Sequence, residues 1–305
     1  MSSWRIVFLG TPDFAVESLK ALLQAGYNVV GVVTAPDKRA GRGQKLSESA
    51  VKQYAQEQGL PILQPIKLKD PEFIAQLSAL KPDLQVVVAF RMLPETVWNL
   101  PPQGTVNVHG SLLPKYRGAA PINWAILNGE KETGVSTFKL QHEIDTGDIL
   151  LQEKMPIGPD ETAGELHDRM KVVGAQLLVK TLRELASGKL TVSPQQLNAE
   201  SQHAPKLFKA DCEIDWNNTA EQIYNQIRGL SPYPTAYTVL SGKTLKIFNA
   251  EIEPGKPKIP AGTFSTDHKS YLKFAATDGY LSLKEVQLEG KKKMEIDEFL
   301  RGVRL

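Results

Sequence analysis

The chain holds 305 residues, 41% apolar and 23% charged, an ordinary globular balance with room for one large domain and one smaller one. A formal net charge of +2 does not by itself announce a nucleic-acid partner, and a single cysteine, Cys212, excludes an internal disulfide. No cysteine and histidine spacing resembles a zinc cluster, and no run of about 18 apolar residues could span a membrane. The expectation is a soluble cytoplasmic protein, monomeric by default.

The opening Met1-Ser-Ser-Trp-Arg-Ile-Val-Phe-Leu-Gly10 reaches a Gly-Thr-Pro turn too soon for an export signal, so residues 6–9 read as a first buried strand. Phe14, Leu19, Leu22 and Leu23 recur at helical spacing and predict a helix over 14–25, ended by Gly26. Residues 27–33 are apolar enough for a central parallel strand. Gly41 and Gly43 make 38–45, Lys-Arg-Ala-Gly-Arg-Gly-Gln-Lys, a flexible loop with four positive charges and no negative one. Helices are expected at 48–58 and 71–79, with a short apolar pair at 62–63 between them. The β-branched run 84–90 belongs at the heart of a sheet. Strands at 105–109 and 134–140 flank a helix at 120–128, and a long helix falls within 160–185. Repeated strand–helix units of this kind predict an α/β fold, an open and mostly parallel sheet with helices on both faces. Residues 186–209 turn polar and read as a surface linker. A short helix at 220–229 and strands at 236–240, 244–250, 271–275 and 280–286, separated by Gly and Pro turns, suggest a small β-barrel. The chain divides accordingly into 1–189, a linker 190–210, and 211–305.

The chemistry concentrates in Asn107-Val-His-Gly-Ser-Leu-Leu-Pro-Lys-Tyr-Arg-Gly-Ala-Ala-Pro121, followed by Asp145-Thr-Gly-Asp148. Asn107 and His109 are two apart, so on an extended segment they point to the same side. A carboxamide can donate to a carbonyl oxygen as it becomes negative, and an imidazole, with an ordinary pKa of about 6.5, can move a proton near neutrality. Asp145 could orient the ring or help deprotonate an attacking amine. An amide donor, a titratable ring and an acid suit acyl transfer to an amine. Taken singly, each has a plainer role: an asparagine bonding its own loop, a structural histidine, an aspartate capping a turn. Their position at the carboxyl end of an apolar strand, where open α/β sheets bind ligands, favours the catalytic reading. Asp148 is the weaker candidate. Ser111, Leu112, Leu113 and Pro114 would form a shaped wall, since proline restricts itself and its predecessor. Gly10-Thr-Pro-Asp13 lacks a dinucleotide fingerprint and Gly41-Arg-Gly43 lacks a phosphate-loop ending, so neither NAD nor ATP is indicated.

These motifs, with Pro36-Asp-Lys-Arg-Ala-Gly-Arg-Gly-Gln-Lys-Leu46, Glu132-Thr-Gly-Val135, Lys206-Leu207 and Ile214-Asp-Trp216, closely resemble the 10-formyltetrahydrofolate-dependent formyltransferases over nearly the whole chain. Within that family the resemblance is to members that formylate methionyl-tRNA. It implies a catalytic sheet of formyltransferase type followed by an oligonucleotide-binding (OB)-like barrel. The implied reaction carries a formyl group from 10-formyltetrahydrofolate to the amine of methionyl-initiator-tRNA, with no metal and no nicotinamide cofactor. Asn107, His109 and Asp145 match the family's catalytic positions. Phe90, Arg91, Met92, Leu93, Ser111, Leu112, Leu113, Pro114, Asp145 and Asp148 match the surroundings of the pterin, and the Leu113–Pro114 bond becomes a candidate for cis. Many relatives carry Ala-Tyr-Gly where this chain has Ala89-Phe-Arg, so Phe90 loses a hydroxyl and Arg91 replaces a small residue.

For the acceptor, the resemblance makes 38–45 a loop that probes the end of the acceptor stem, with Arg42 as the leading contact and Lys38, Arg39 and Lys45 in support. Alone, such a loop reads more plainly as a solvated charged turn. Residues 211–305 hold 13 Lys/Arg against 13 Asp/Glu, so any RNA-binding face there must be local. Lys206 and Lys209 could line a backbone track; Lys291-Lys-Lys293 could do the same or simply be a solvated turn. The rival readings are a sugar-nucleotide N-formyltransferase, a formyltetrahydrofolate hydrolase, and a non-catalytic RNA-binding module that would leave the Asn-His-Asp set without a task.

Overall fold

The computed structural model describes residues 4–40, 45–196 and 202–303. In chain order its first half contains β1 (Arg5–Gly10), α1 (Asp13–Gln24), β2 (Asn28–Val33), β3 (Lys38–Ala40), β4 (Lys45–Ser47), α2 (Ala50–Glu57), β5 (Ile62–Leu63), α3 (Pro71–Ala79), β6 (Leu84–Val88), α4 (Glu95–Trp98) and β7 (Thr105–His109). Then come β8 (Arg117–Gly118), α5 (Pro121–Leu127), β9 (Glu132–Lys139), β10 (Ile149–Pro156), α6 (Ala163–Ala186) and β11 (His203–Ala204). The last third contains α7 (Ala220–Leu230), β12 (Ala236–Leu240), β13 (Lys243–Pro254), β14 (Phe264–Thr266), β15 (Leu272–Ala275), β16 (Gly279–Leu288), β17 (Met294–Glu295) and α8 (Ile296–Gly302).

Packing divides the chain into two compact units whose segments alternate. One comprises Met1–Arg117, Gly134–Met155 and His167–His203; the other comprises Gly118–Thr133, Pro156–Leu166 and Ala204–Leu305. The first unit is built on a seven-stranded sheet of order β10-β9-β7-β6-β1-β2-β5. Its inner strands run parallel: β1 pairs with β2 and β6, β2 with β5, and β6 with β7. Ile6 to Leu9 and Leu84 to Val88 are buried throughout, as strands covered on both faces must be. Val7, Leu9, Val33 and Val87 pack on Phe73 and Leu77 of α3 and Val97 of α4. The buried side of α1, including Leu19 and Leu22, lies outside that cluster and packs on β1, β2 and β6 from the other face. Gly174 of α6 rests on Val108 and Val135, and Thr181 bonds Thr137 at 2.8 Å, which ties α6 to β7 and β9.

The alternation of strands and helices therefore holds, with one correction at the β7 edge. β9 runs antiparallel to β7, and a further strand, β10, continues the sheet there. The sequence offered no helix between 132 and 156, and without a crossover helix two successive strands pair as neighbours. The stretch expected as a loop at 38–45 begins and ends as paired strands, Lys38 opposite Ser47 and Ala40 opposite Lys45. Residues 41–44 lie outside the described residues.

In the second unit the strands form an antiparallel half-barrel of order β12-β13-β16-β15-β14, with β17 added to β16. The small β-barrel expected here takes this half-barrel form, with β12 and β14 at the ends of the strand order. Register shifts around Asn249 bend the long β13, as an extra residue in one strand does. α7 covers the inner face, its amphipathic side supplying Ile223, Ile227 and Leu230 to a core with Leu245, Ile247, Phe274 and Leu283. Thr219 and Gln222 cap its first turn reciprocally. Trp216 stacks on Phe274 with ring centres 4.6 Å apart.

On the outer side of α7, Tyr224 donates its hydroxyl to Asp160 at 2.7 Å. Burial, with that hydrogen bond second, pushes the phenol up to about 12. An unfolded tyrosine ionises near 10.0, so this group's contribution to stability is complete below that pH and is lost as pH rises toward about 12. The wild-type chain should therefore lose stability more steeply over that interval than Tyr224→Phe. Denaturant titrations at a series of alkaline pH values, with tyrosinate absorbance recorded in parallel, check the difference.

Candidate active site

β7 is flanked by β6 on one side and β9 on the other, and its carboxyl end presents Asn107 and His109 on one face. Asn107 is half-buried and His109 is 7% exposed. The Nε2 atom of His109 lies 2.9 Å from the Tyr116 carbonyl, which can only accept, so Nε2 carries the hydrogen of that bond. Nδ1 is left facing a carboxylate oxygen of Asp145 at 3.8 Å, within ion-pair range though beyond a direct hydrogen bond. The ring also meets Phe138 edge-on, with centres 6.4 Å apart. The Asn107 carboxamide makes no side-chain hydrogen bond among the described residues, so its amide hydrogens remain available to a ligand.

The turn after β7 is built to hold the Tyr116 carbonyl still. Ser111 donates to the Lys115 carbonyl at 2.6 Å and the Lys115 amide returns to Leu112 at 3.1 Å. Leu113–Pro114 is cis, and Tyr116 adopts a left-handed φ of 58°. Ser111, Leu113 and Tyr116 are buried. Two residues that the sequence reading passed over secure this turn. Ser136 of β9 donates to the Ser111 carbonyl at 2.6 Å and accepts from the Leu113 amide at 3.0 Å. Gln152 of β10 donates to both the Leu113 carbonyl and the Ser136 hydroxyl, at 3.0 and 2.8 Å. Neither could be found without knowing that 132–139 and 149–156 pair beside β7. Gly134 is required as well, because a Cβ there would collide with the Glu153 carbonyl and the Leu112 side chain.

Asp145 sits at a φ of 54°, a conformation aspartate tolerates better than most residues. Its turn is held by Gln195, whose amide donates to the carbonyls of Asp145 and Gly147 at 2.9 and 2.7 Å. A side chain at Gly147 would strike the Lys139 carbonyl. Asp148 takes part through its backbone, its carbonyl accepting from Lys139 at 3.1 Å.

The other candidates separate. Leu93 is buried in the core with Val97 and Phe73, while Phe90 packs at its margin and Met92 is 72% exposed. Arg91 stacks over Phe90 at 5.7 Å and donates to the carbonyls of Pro65 and Ile66, so its guanidinium is committed to the 65–66 loop. Burial of that guanidinium lowers its pKa. Leu112 and Pro114 are half-buried beside the turn. Lys38 is exposed; Arg42 and the side chains of Arg39 and Lys45 lie outside the described residues. In the C-terminal unit Lys206 lies 5.5 Å over the Phe208 ring and Lys209 5.8 Å over Tyr237. Lys292 and Lys293 instead pair with Glu298 and Glu285. One group of metal-ligand type, Asp13, His167 and Asp168, already has a cation: Lys171 lies 2.7 Å from Asp168 and 3.5 Å from Asp13.

Because Ser136 is fully buried and serves three partners, removing its hydroxyl strands the Leu113 amide. Ser136→Ala should cost about 1–3 kcal/mol of stability. Equilibrium denaturation of the purified variant measures that loss.

Residues 4–182 match the formyl transferase family, and residues 206–304 match the formyl transferase C-terminal domain. The methionyl-tRNA formyltransferase of Parabacteroides distasonis is 55% identical over 308 residues, covering 98% of this chain and 95% of that protein. Among solved structures, the N-formyltransferase from Helicobacter canadensis in complex with folinic acid and dTDP-3-aminofucose has a TM-score of 0.67 at 20% identity, over 95% of this chain and all of that one. HypX from Aquifex aeolicus in complex with tetrahydrofolic acid also gives 0.67 at 20% identity; the match covers 99% of this chain, which spans 48% of HypX. The chain, matched by both family models along nearly its whole length, belongs to the formyl transferase family.

Proposed function

We propose that the protein transfers the formyl group of 10-formyltetrahydrofolate to the α-amino group of methionyl-initiator-tRNA, giving N-formylmethionyl-tRNA and tetrahydrofolate. The observation that carries this reading is the carboxamide of Asn107, without a hydrogen-bond partner among the described residues, on the same strand face as a histidine paired with Asp145. High identity to methionyl-tRNA formyltransferases over the full chain supports the choice of acceptor.

Each group has a part that fits its surroundings. The amine attacks the formyl carbon and a carbon–nitrogen bond forms, leaving a tetrahedral intermediate with a negative oxygen. Asn107 donates to that oxygen with an amide hydrogen that no group among the described residues claims. Nδ1 of His109 is the ring position open toward Asp145, and between them they take the proton from the attacking nitrogen. Collapse breaks the bond to folate N10, which takes up a proton in turn. Leu112, Leu113 and Pro114 of the clamped turn form the wall for the pterin, with the Asp145–Asp148 turn opposite its polar edge. Arg91, tied to the 65–66 loop, acts here as a brace for Phe90.

On this reading residues 1–189 carry the chemistry, 190–210 link, and 211–305 supply an OB-like surface for RNA. Lys206 and Lys209, each beside an aromatic ring, offer a charge for phosphate and a face for a base. Lys38, Arg39, Arg42 and Lys45 meet the acceptor end. The reading carries with it a monomeric enzyme at work in the cytoplasm; among the described residues no helix is long and apolar enough to cross a membrane.

The test is an assay with 10-formyltetrahydrofolate and charged initiator tRNA, with charged elongator tRNA, an amino sugar nucleotide and water as competing acceptors. Formyl-methionine formed preferentially on initiator tRNA is the expected product. Efficient transfer to the amino sugar, or formate release without an amine, would end the assignment. Asn107→Ala should lower kcat by about 100- to 1,000-fold, the usual loss for an oxyanion donor, with little change in KM.

A further inference from the structure

The cationic hairpin β3–β4 forms a two-stranded sheet of its own, apart from the main sheet. Two strands of three residues are marginal alone, and four like charges on the segment oppose its compaction. The feet of the hairpin, however, are joined. Asp37 immediately precedes β3 and Glu48 immediately follows β4. The ammonium of Lys52, from the first turn of α2, lies 2.5 Å from the Asp37 carboxylate and 2.7 Å from that of Glu48. The second Asp37 oxygen accepts from Gln64 at 2.8 Å, and the same Gln64 amide donates to the Ala35 carbonyl at 2.9 Å. Ser49 caps α2 by accepting from the Lys52 amide at 3.0 Å and meets the Thr34 hydroxyl at 2.7 Å.

Two consequences follow from these distances. Both carboxylates next to the hairpin are engaged by Lys52, so their charge is already matched among the described residues. The Lys52 side chain is only 12% exposed and sits between two acids, so it is badly placed to be a phosphate ligand itself. We infer that Lys52 is a positioning residue for the acceptor-reading hairpin: it staples the feet together through Asp37 and Glu48 and so fixes the base from which the hairpin meets tRNA. The inference rests on the reading of 38–45 as a tRNA contact. The Asp37 carboxyl is held below its usual range by the hydrogen bonds from Lys52 and then Gln64, so the staple is charged at neutral pH.

The experiment uses the full chain with Lys52→Met, Lys52→Arg and, as a control on the hairpin, Arg42→Gln. Formylation is measured against Met-tRNA and against 10-formyltetrahydrofolate over a range of salt. Lys52→Met should raise KM for Met-tRNA about tenfold, as the loss of one charged hydrogen-bonded contact does. Its kcat, its KM for the formyl donor and its salt slope should stay near wild type, and Lys52→Arg should restore most of the loss. Arg42→Gln should instead flatten the salt slope by about one, as removing a phosphate contact does. A flattened slope in Lys52→Met would make it a direct phosphate ligand and overturn the inference, as would an equal rise in the donor KM. If Arg42→Gln weakens tRNA use but Lys52→Met does not, the staple has no role while the hairpin reading stands. If Arg42→Gln changes nothing, the hairpin reading itself fails. Should Lys52→Met not fold, Lys52→Gln is read by the same outcomes.

Discussion

The hydrogen bond from His109 to the Tyr116 carbonyl is the constraint on which the candidate site depends. It commits one ring nitrogen to the backbone and thereby decides which nitrogen faces Asp145. A carbonyl can do this only if its own peptide is immobile, and Tyr116 is held by a buried turn with its own internal hydrogen bonds. That turn in turn leans on Ser136 and Gln152. The antiparallel edge of the sheet thus has a purpose beyond finishing the fold. Successive strands β9 and β10 set a hydroxyl and an amide within 2.8 Å of one another, directly beside the loop that leaves β7.

The two donors on β7 are prepared differently. His109 is fixed by a backbone acceptor on one side and a carboxylate on the other. Asn107, two residues earlier, has its carboxamide unclaimed among the described residues. A preorganised donor gains most when the protein does not satisfy it first, since it then has no competing hydrogen bond to break when charge develops. The same logic explains the separate turn that brings in Asp145. Gln195 satisfies that turn's carbonyls, so the backbone that aims the carboxylate at His109 is itself held.

Features governed by local chemistry were legible in the sequence. The buried runs at 6–9 and 84–88 read as strands because parallel strands show no polar alternation, and α1 read from its apolar spacing. Asn107, His109 and Asp145 stood out because their residue types and spacing suggest chemistry. What stayed hidden was non-local. Nothing in 149–156 announces that it lies beside 132–139, so β10 and Gln152 went unread. The hairpin feet escaped because three-residue strands are too short to show a period, and the glycines between them argue for a loop. Register shifts in β13 are likewise a property of its pairing with β16, which the residues 243–254 alone do not encode.

Charge illustrates the same limit most sharply. Counted along the chain, Lys291 to Lys293 form the densest basic run, yet two of the three ammonium groups are matched to carboxylates at 3.3 and 2.8 Å. Lys206 and Lys209 are isolated in sequence, but each rests against an aromatic face, an attraction that leaves the full positive charge in place. Lys52 goes to the other extreme: it is covered, doubly paired and removed from any role as a surface cation. Availability to a polyanion is therefore set by the counter-charge each lysine already has, which depends on tertiary neighbours. A balanced composition can still present a basic surface if its acids are spent on other lysines, and around the hairpin that is where Asp37 and Glu48 are spent.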